Sequence, residues 1–71
     1  MNGPRLASIR LRVAPDLDVR AFAHALGYVD VDAYLQYESG ERPVPHLLAL
    51  LAEMIDRSGM PKAWLKSALV A

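Results

Sequence analysis

The sequence predicts an all-α domain of five short helices, and three observations carry that expectation. Apolar residues recur at steps of three and four along most of the chain. Glycines and prolines (Pro15, Gly27, Gly40, Pro43, Pro45, Gly59 and Pro61) divide it into five stretches. Asp18 and Asp30 each stand just ahead of a stretch, where a carboxylate accepts hydrogen bonds from the first free amides of a helix.

The first segment, Pro4 to Val13, places Leu6, Ile9 and Val13 on one helical face, with Arg5 and Arg12 away from it. Pro4 suits a first helical turn, and Pro15 pushes Ala14 out of the helical region. The alternation Ile9-Arg10-Leu11-Arg12-Val13 also fits a strand. The second segment follows the Asp18 cap from Val19 to Leu26, with Phe22, Ala23 and Leu26 inward and Gly27 just past its end. The third starts at the Asp30 cap and runs to about Ser39, with Tyr34 and Tyr37 inward and Gly40 closing it in a left-handed turn.

The fourth begins after Pro43, takes Pro45 in its first turn and reaches about Arg57. Leu48, Leu51, Ala52 and Ile55 form one stripe, and Leu47, Leu50 and Met54 form a second beside it. That arc is wider than a helix covering one small core requires. The fifth, Pro61 to about Leu69, offers Trp64, Leu65 and Leu69 to the interior.

Composition narrows the function. At 71 residues the chain makes one domain, residues 1–71, and its 54% apolar content argues against disorder. A core this small gains from efficient packing or from a partner. Without cysteine there is no disulfide and no thiolate metal site, which fits a reducing, cytoplasmic setting. No signal peptide is visible, and Val44 to Ile55 is too short to span a bilayer, so a soluble protein is expected.

His24 and His46 lack partners at ligand spacing, so no metal or other cofactor is expected. The serines have no activating motif, and capping accounts for Asp18 and Asp30, so an enzyme is not expected. Eight basic and eight acidic residues cancel. Arg5, Arg10 and Arg12 lie near the start and Arg57, Lys62 and Lys66 near the end, whereas Tyr28 to Arg42 carries four acids against one base. Neutrality is unusual for a freestanding nucleic-acid binder, although distribution matters more than the sum.

Two short capped helices joined around a glycine suggest helix-turn-helix geometry over about residues 18–39. Phe22-Ala23-His24-Ala25-Leu26-Gly27-Tyr28 resembles the second helix and turn of lambda-repressor/Cro-type (xenobiotic-response-element-like) domains. Tyr37-Glu38-Ser39-Gly40-Glu41-Arg42-Pro43-Val44-Pro45 resembles the stretch that closes the family's recognition helix and opens the next one. The likeness covers roughly Leu6 to Ile55 and implies a compact five-helix, lambda-repressor-like fold. It also implies an aromatic anchor under the turn at Tyr37. Glu38 beside it would bond backbone amides or Arg42, or be a solvated helix end.

The resemblance further implies a DNA-binding transcriptional regulator, with the third helix in the major groove. The positions that face DNA in the family are here Asp30, Val31, Asp32, Ala33, Leu35 and Gln36. Gln36 suits adenine, Asp32 can accept from cytosine N4, and Ala33 lies near the bases. Arg20 stands beside Val19, which occupies the place of a frequent phosphate-binding Gln, and Arg42 sits where members carry a basic residue. Arg5, Arg10 and Arg12 would assist if the first segment ends near the backbone. The Gly27-to-Glu38 spacing is one residue longer than the commonest pattern, as in some phage and prophage-like members.

The resemblance also implies a homodimer built on the C-terminal helices, about residues 45–69, through Leu47, Leu50, Met54 and Trp64. Trp64 equally suits a core residue. The acidic, apolar third helix leaves a second function open, that of a protein-interaction module with reduced or lost DNA binding. In it Tyr28, Val31 and Leu35 would face another regulator or the transcription machinery.

Overall fold

The computed structural model describes residues 1–70, with side chains described through Lys66. The described residues form five helices and no strand: α1 (Gly3–Val13), α2 (Val19–Ala25), α3 (Val31–Ser39), α4 (His46–Ser58) and α5 (Lys62–Val70). The helical reading of the first segment therefore holds over the strand alternative. None of these helices is long and apolar enough to cross a membrane.

Each early helix starts on a side-chain cap. The Arg5 amide donates to Asn2 Oδ1 at 2.8 Å and the Ala21 amide to Asp18 Oδ1 at 2.8 Å. The Ala33 amide donates to Asp30 Oδ1 at 3.2 Å. Each bond satisfies an amide that has no intrahelical acceptor. α2 ends in a paired closure, with the Gly27 amide donating to His24 O and the Tyr28 amide to Ala23 O, both at 2.9 Å. That closure requires a left-handed residue, and Gly27 supplies it at φ 92°.

α1 packs against α3 and α4, and α2 packs against α3 and α5. Leu6 and Ile9 from α1, Phe22 and Ala23 from α2, and Tyr34 from α3 fill the centre with Leu48, Ala52 and Ile55 from α4. Ala14, Leu17 and Met60 from the connections close its edges. Where α1 begins, it runs against the end of α3 closely enough to exclude a side chain. A Cβ on Gly3 would lie 2.3 Å from Glu38 O and 2.7 Å from Tyr37 O.

The inward stripes expected from periodicity line the core, joined by Ala14, Leu17 and Met60 from outside them, while two positions that the resemblance put outward differ. Val31, expected on the exposed side of α3, is buried, and Leu35 is half-buried against the core. The first turn of α3 thus turns its β-branched residue inward and leaves Asp32 outside. α5 lies on α2 and leaves the second α4 stripe open: Leu47, Leu50 and Met54 are 79%, 54% and 57% exposed. Trp64 is half-buried against the core, and the inward placement expected of Leu69 lies outside the described side chains.

Candidate nucleic-acid interface

The orientation of α3 is set by aromatic rings and by one ion pair. Phe22 of α2 meets Tyr34 with centroids 6.0 Å apart, and Tyr34 meets Tyr28 of the turn at 5.6 Å. Tyr28 then meets the edge of Tyr37 at 6.1 Å, which is the packing under the turn that the sequence suggested for Tyr37. Such tilted pairs contribute beyond their buried area.

Glu38, one helical turn beyond Tyr34, holds the far end of α3. Arg10 donates to it twice, Nε to Oε2 at 2.9 Å and Nη2 to Oε1 at 3.1 Å. The Tyr34 hydroxyl donates to Oε2 at 2.7 Å. A two-pronged guanidinium–carboxylate pair fixes direction as well as distance. Burial, followed by the bond to Glu38, pushes the Tyr34 hydroxyl well above the ordinary tyrosine value. Of the partners expected for Glu38, neither the backbone amides nor Arg42 is used; Tyr34, four residues back, and Arg10, 28 residues away on α1, take their place.

The other N-terminal arginines are also engaged. Arg5 Nη2 lies 3.1 Å from Asp56 and 3.5 Å from Glu53, and Arg12 Nη2 lies 2.7 Å from Asp56. These pairs tie α1 to α4, so of the three N-terminal arginines only Arg10 reaches α3, where Glu38 engages it. Five cations have no carboxylate within ion-pair distance among the described residues: Arg20, Arg42, Arg57, Lys62 and Lys66.

Of the residues expected to meet DNA, Arg20, Asp32 and Arg42 are exposed and Ala33 is half-buried. Gln36 is half-buried too, and its Oε1 is buried without a hydrogen-bond partner. Its backbone carbonyl accepts from the Arg42 amide at 3.2 Å, which ties the arginine's position to the end of α3. Bidentate adenine recognition needs both the oxygen and the nitrogen of the amide. Gln36 must therefore change rotamer to read a base, while Asp32 is already presented.

The apolar surface is the feature that sequence periodicity located least completely. Val29 at the α2–α3 turn is 92% exposed, although no signal singled it out. Between the turn and α4 runs an open groove of about 220 Å³ lined by Leu26, Gly27, Tyr28, Leu47, Leu48 and Leu51. On the other flank of α4, Leu50, Glu53, Met54, Arg57 and Ser58 line a second open hollow. His24 and His46 are both exposed, and no group of three or more potential metal ligands occurs among the described residues. No protein-family model, curated protein or solved structure matches the chain.

Proposed function

We propose that the chain is a small DNA-binding transcriptional regulator whose α2 and α3 form a helix-turn-helix of the lambda-repressor/Cro kind, acting in the cytoplasm. One observation carries the reading. Two Asp-capped helices meet across a left-handed glycine, and rings and an ion pair clamp α3 from behind while Asp32 stays outward. A helix held this rigidly on its inner side presents side chains in a fixed register, which reading base edges demands. Arg20 and Arg42, exposed on either side of it in sequence, supply phosphate contacts that position it.

A second copy of the chain completes the proposed regulator by covering Leu47, Leu50 and Met54. Two-fold pairing of α4 places two recognition helices on one palindromic site. Trp64, held against the core, contributes to that interface less than the open stripe does.

The test is an anisotropy titration of DNA from the region upstream of the protein's own coding sequence, against random duplex of equal length. Tighter binding to the upstream duplex, weakened by Gln36→Ala and by Arg42→Ala, is expected. Equal binding to both duplexes, unchanged in either variant, overturns the reading.

Val29 and the groove beside Leu47 favour a second reading, an interaction module that keeps the fold and has reduced or lost DNA binding. Under it the exposed apolar surface from the turn to α4 meets another regulator or the transcription machinery. Val29→Ser separates the two readings, because it removes that apolar contact without adding charge and leaves Gln36 and Arg42 in place.

A further inference from the structure

We propose that the outward faces of α2 and α5 form a ridge that follows the phosphate backbone of a nucleic-acid duplex, through Arg20, Lys62 and Lys66. The inference rests on the DNA reading and moves most of its electrostatic attraction away from α3.

Four observations converge on the ridge. Arg10 is half-buried against Glu38 of α3, and Arg5 and Arg12, although more exposed, are partly neutralised by carboxylates of α4. Arg20, Lys62 and Lys66 are exposed and pair with no carboxylate among the described residues. Lys62 and Lys66 are four residues apart, so they share one face of α5, and no acidic residue lies between Asp56 and Lys66. α2, which exposes Arg20 and His24, packs against both the recognition helix and the lysine helix.

A structural role does not explain the lysines. Lys62 is the first residue of α5, where the helix dipole disfavours a cation. Neither lysine closes an ion pair to a neighbouring helix among the described residues. The acids nearest in sequence to Arg20 are Asp16 and Asp18, and Asp18 is occupied by the Ala21 amide. Phosphates are the chemistry that fits point charges on flexible stems, because lysine binds them without demanding planar geometry.

The slope of log affinity against log salt for a random duplex tests this directly. Each phosphate neutralised contributes about 0.9 to that slope. The double variant Lys62→Ala/Lys66→Ala is therefore expected to lower it by about 2 for each copy bound, with affinity for random and upstream duplexes falling in parallel. Arg57→Ala, a free cation outside the ridge, is expected to leave the slope unchanged. Helical circular dichroism of each variant confirms folding.

An unchanged slope in the lysine variant, or an equal drop from Arg57→Ala, overturns the ridge. So does lysine-dependent binding to anionic lipid vesicles without any binding to duplex. The slope also separates the ridge from the recognition reading. Loss of upstream preference with a lysine-dependent slope removes the reading alone, and retained preference with an unchanged slope removes the ridge alone. No duplex binding at about 50 mM salt overturns both.

Discussion

Replacing Glu38 by alanine removes the acceptor of three hydrogen bonds, two from Arg10 and one from Tyr34. Only 10% of the Glu38 side chain and 15% of the Arg10 side chain remain exposed, so water replaces little of what is lost. Breaking a buried pair from one side costs about 3–5 kcal/mol, because the remaining charge stays desolvated. Partial access of water at Arg10 lowers this to about 2–4 kcal/mol. A domain of 71 residues has a total stability of about 4–10 kcal/mol, so the substitution removes a large share. Urea unfolding, followed by Trp64 fluorescence and by circular dichroism, should show the midpoint falling by about 2 M or more.

The double variant Arg10→Met/Glu38→Leu distinguishes loss of a pair from stranding of a charge. It should be less destabilising than Glu38→Ala, because no ion is left unpaired. The clamp on α3 is refuted if Glu38→Ala costs under about 1 kcal/mol, as an exposed pair would. It is also refuted if the effects of Arg10→Ala and Glu38→Ala simply add.

Three further outcomes follow from the same geometry. Gly3→Ala should destabilise by about 1–3 kcal/mol, since the new Cβ meets backbone oxygens of Glu38 and Tyr37 that cannot rotate away; thermal unfolding of the variant measures it. Tyr34 holds its proton more tightly when folded than the ordinary value of 10.0. Its contribution is therefore fully present below about pH 10 and is lost as pH rises above it, so stability should fall on the alkaline side. Tyr34→Phe should flatten that fall, leaving the smaller part due to Tyr28, which burial also raises. Asp18→Ala and Asp30→Ala should each cost about 0.5–2 kcal/mol by freeing a capped amide, and Asp18→Asn should recover most of its loss in urea titration.

What the sequence revealed and what it concealed separate by distance along the chain. The caps at Asp18 and Asp30 and the closure at Gly27 act within four residues of themselves, so residue type and spacing are enough to place them. The core stripe of Leu48, Ala52 and Ile55 is periodic for the same reason. Glu38 was the opposite case. Its neighbours suggest backbone amides, Arg42 or solvent, whereas its charged partner Arg10 lies on another helix, and only the α1–α3 packing brings the two together. Gly3 carries no local signal at all, because nothing near it in sequence shows that the backbone of Tyr37 and Glu38 passes against it. Val31 was placed outward by alignment to a family pattern, and the register of α3 turned it in. The outward positions at Arg20 and Asp32 are legible because polar side chains on short helices have little choice of face, and Arg42 lies in the exposed connection after α3.

Charge allocation links the fold to the proposed function. Of eight basic residues, three are used to fasten α1 to α3 and α4, and the acids they consume are Glu38, Glu53 and Asp56. Two of the remaining five acids cap helices. A net charge of zero therefore conceals an uneven surface, with outward carboxylates at Asp32 and Glu41 on or just after α3 and unopposed lysines on α5. An acidic recognition helix approaches a polyanion only if cations elsewhere offset the repulsion, and screening limits that help to about 10 Å at 0.1 M salt. Arg20 sits on α2, which packs against both α3 and α5. Asp32 would then act chiefly by rejection, penalising bases that offer it only acceptors and tolerating cytosine, while the cations supply the affinity. Asp32→Asn should accordingly raise affinity for random duplex more than for the upstream site, narrowing the difference between them. A loss of affinity for both would show that Asp32 stabilises α3 through its first turn and does not discriminate among bases.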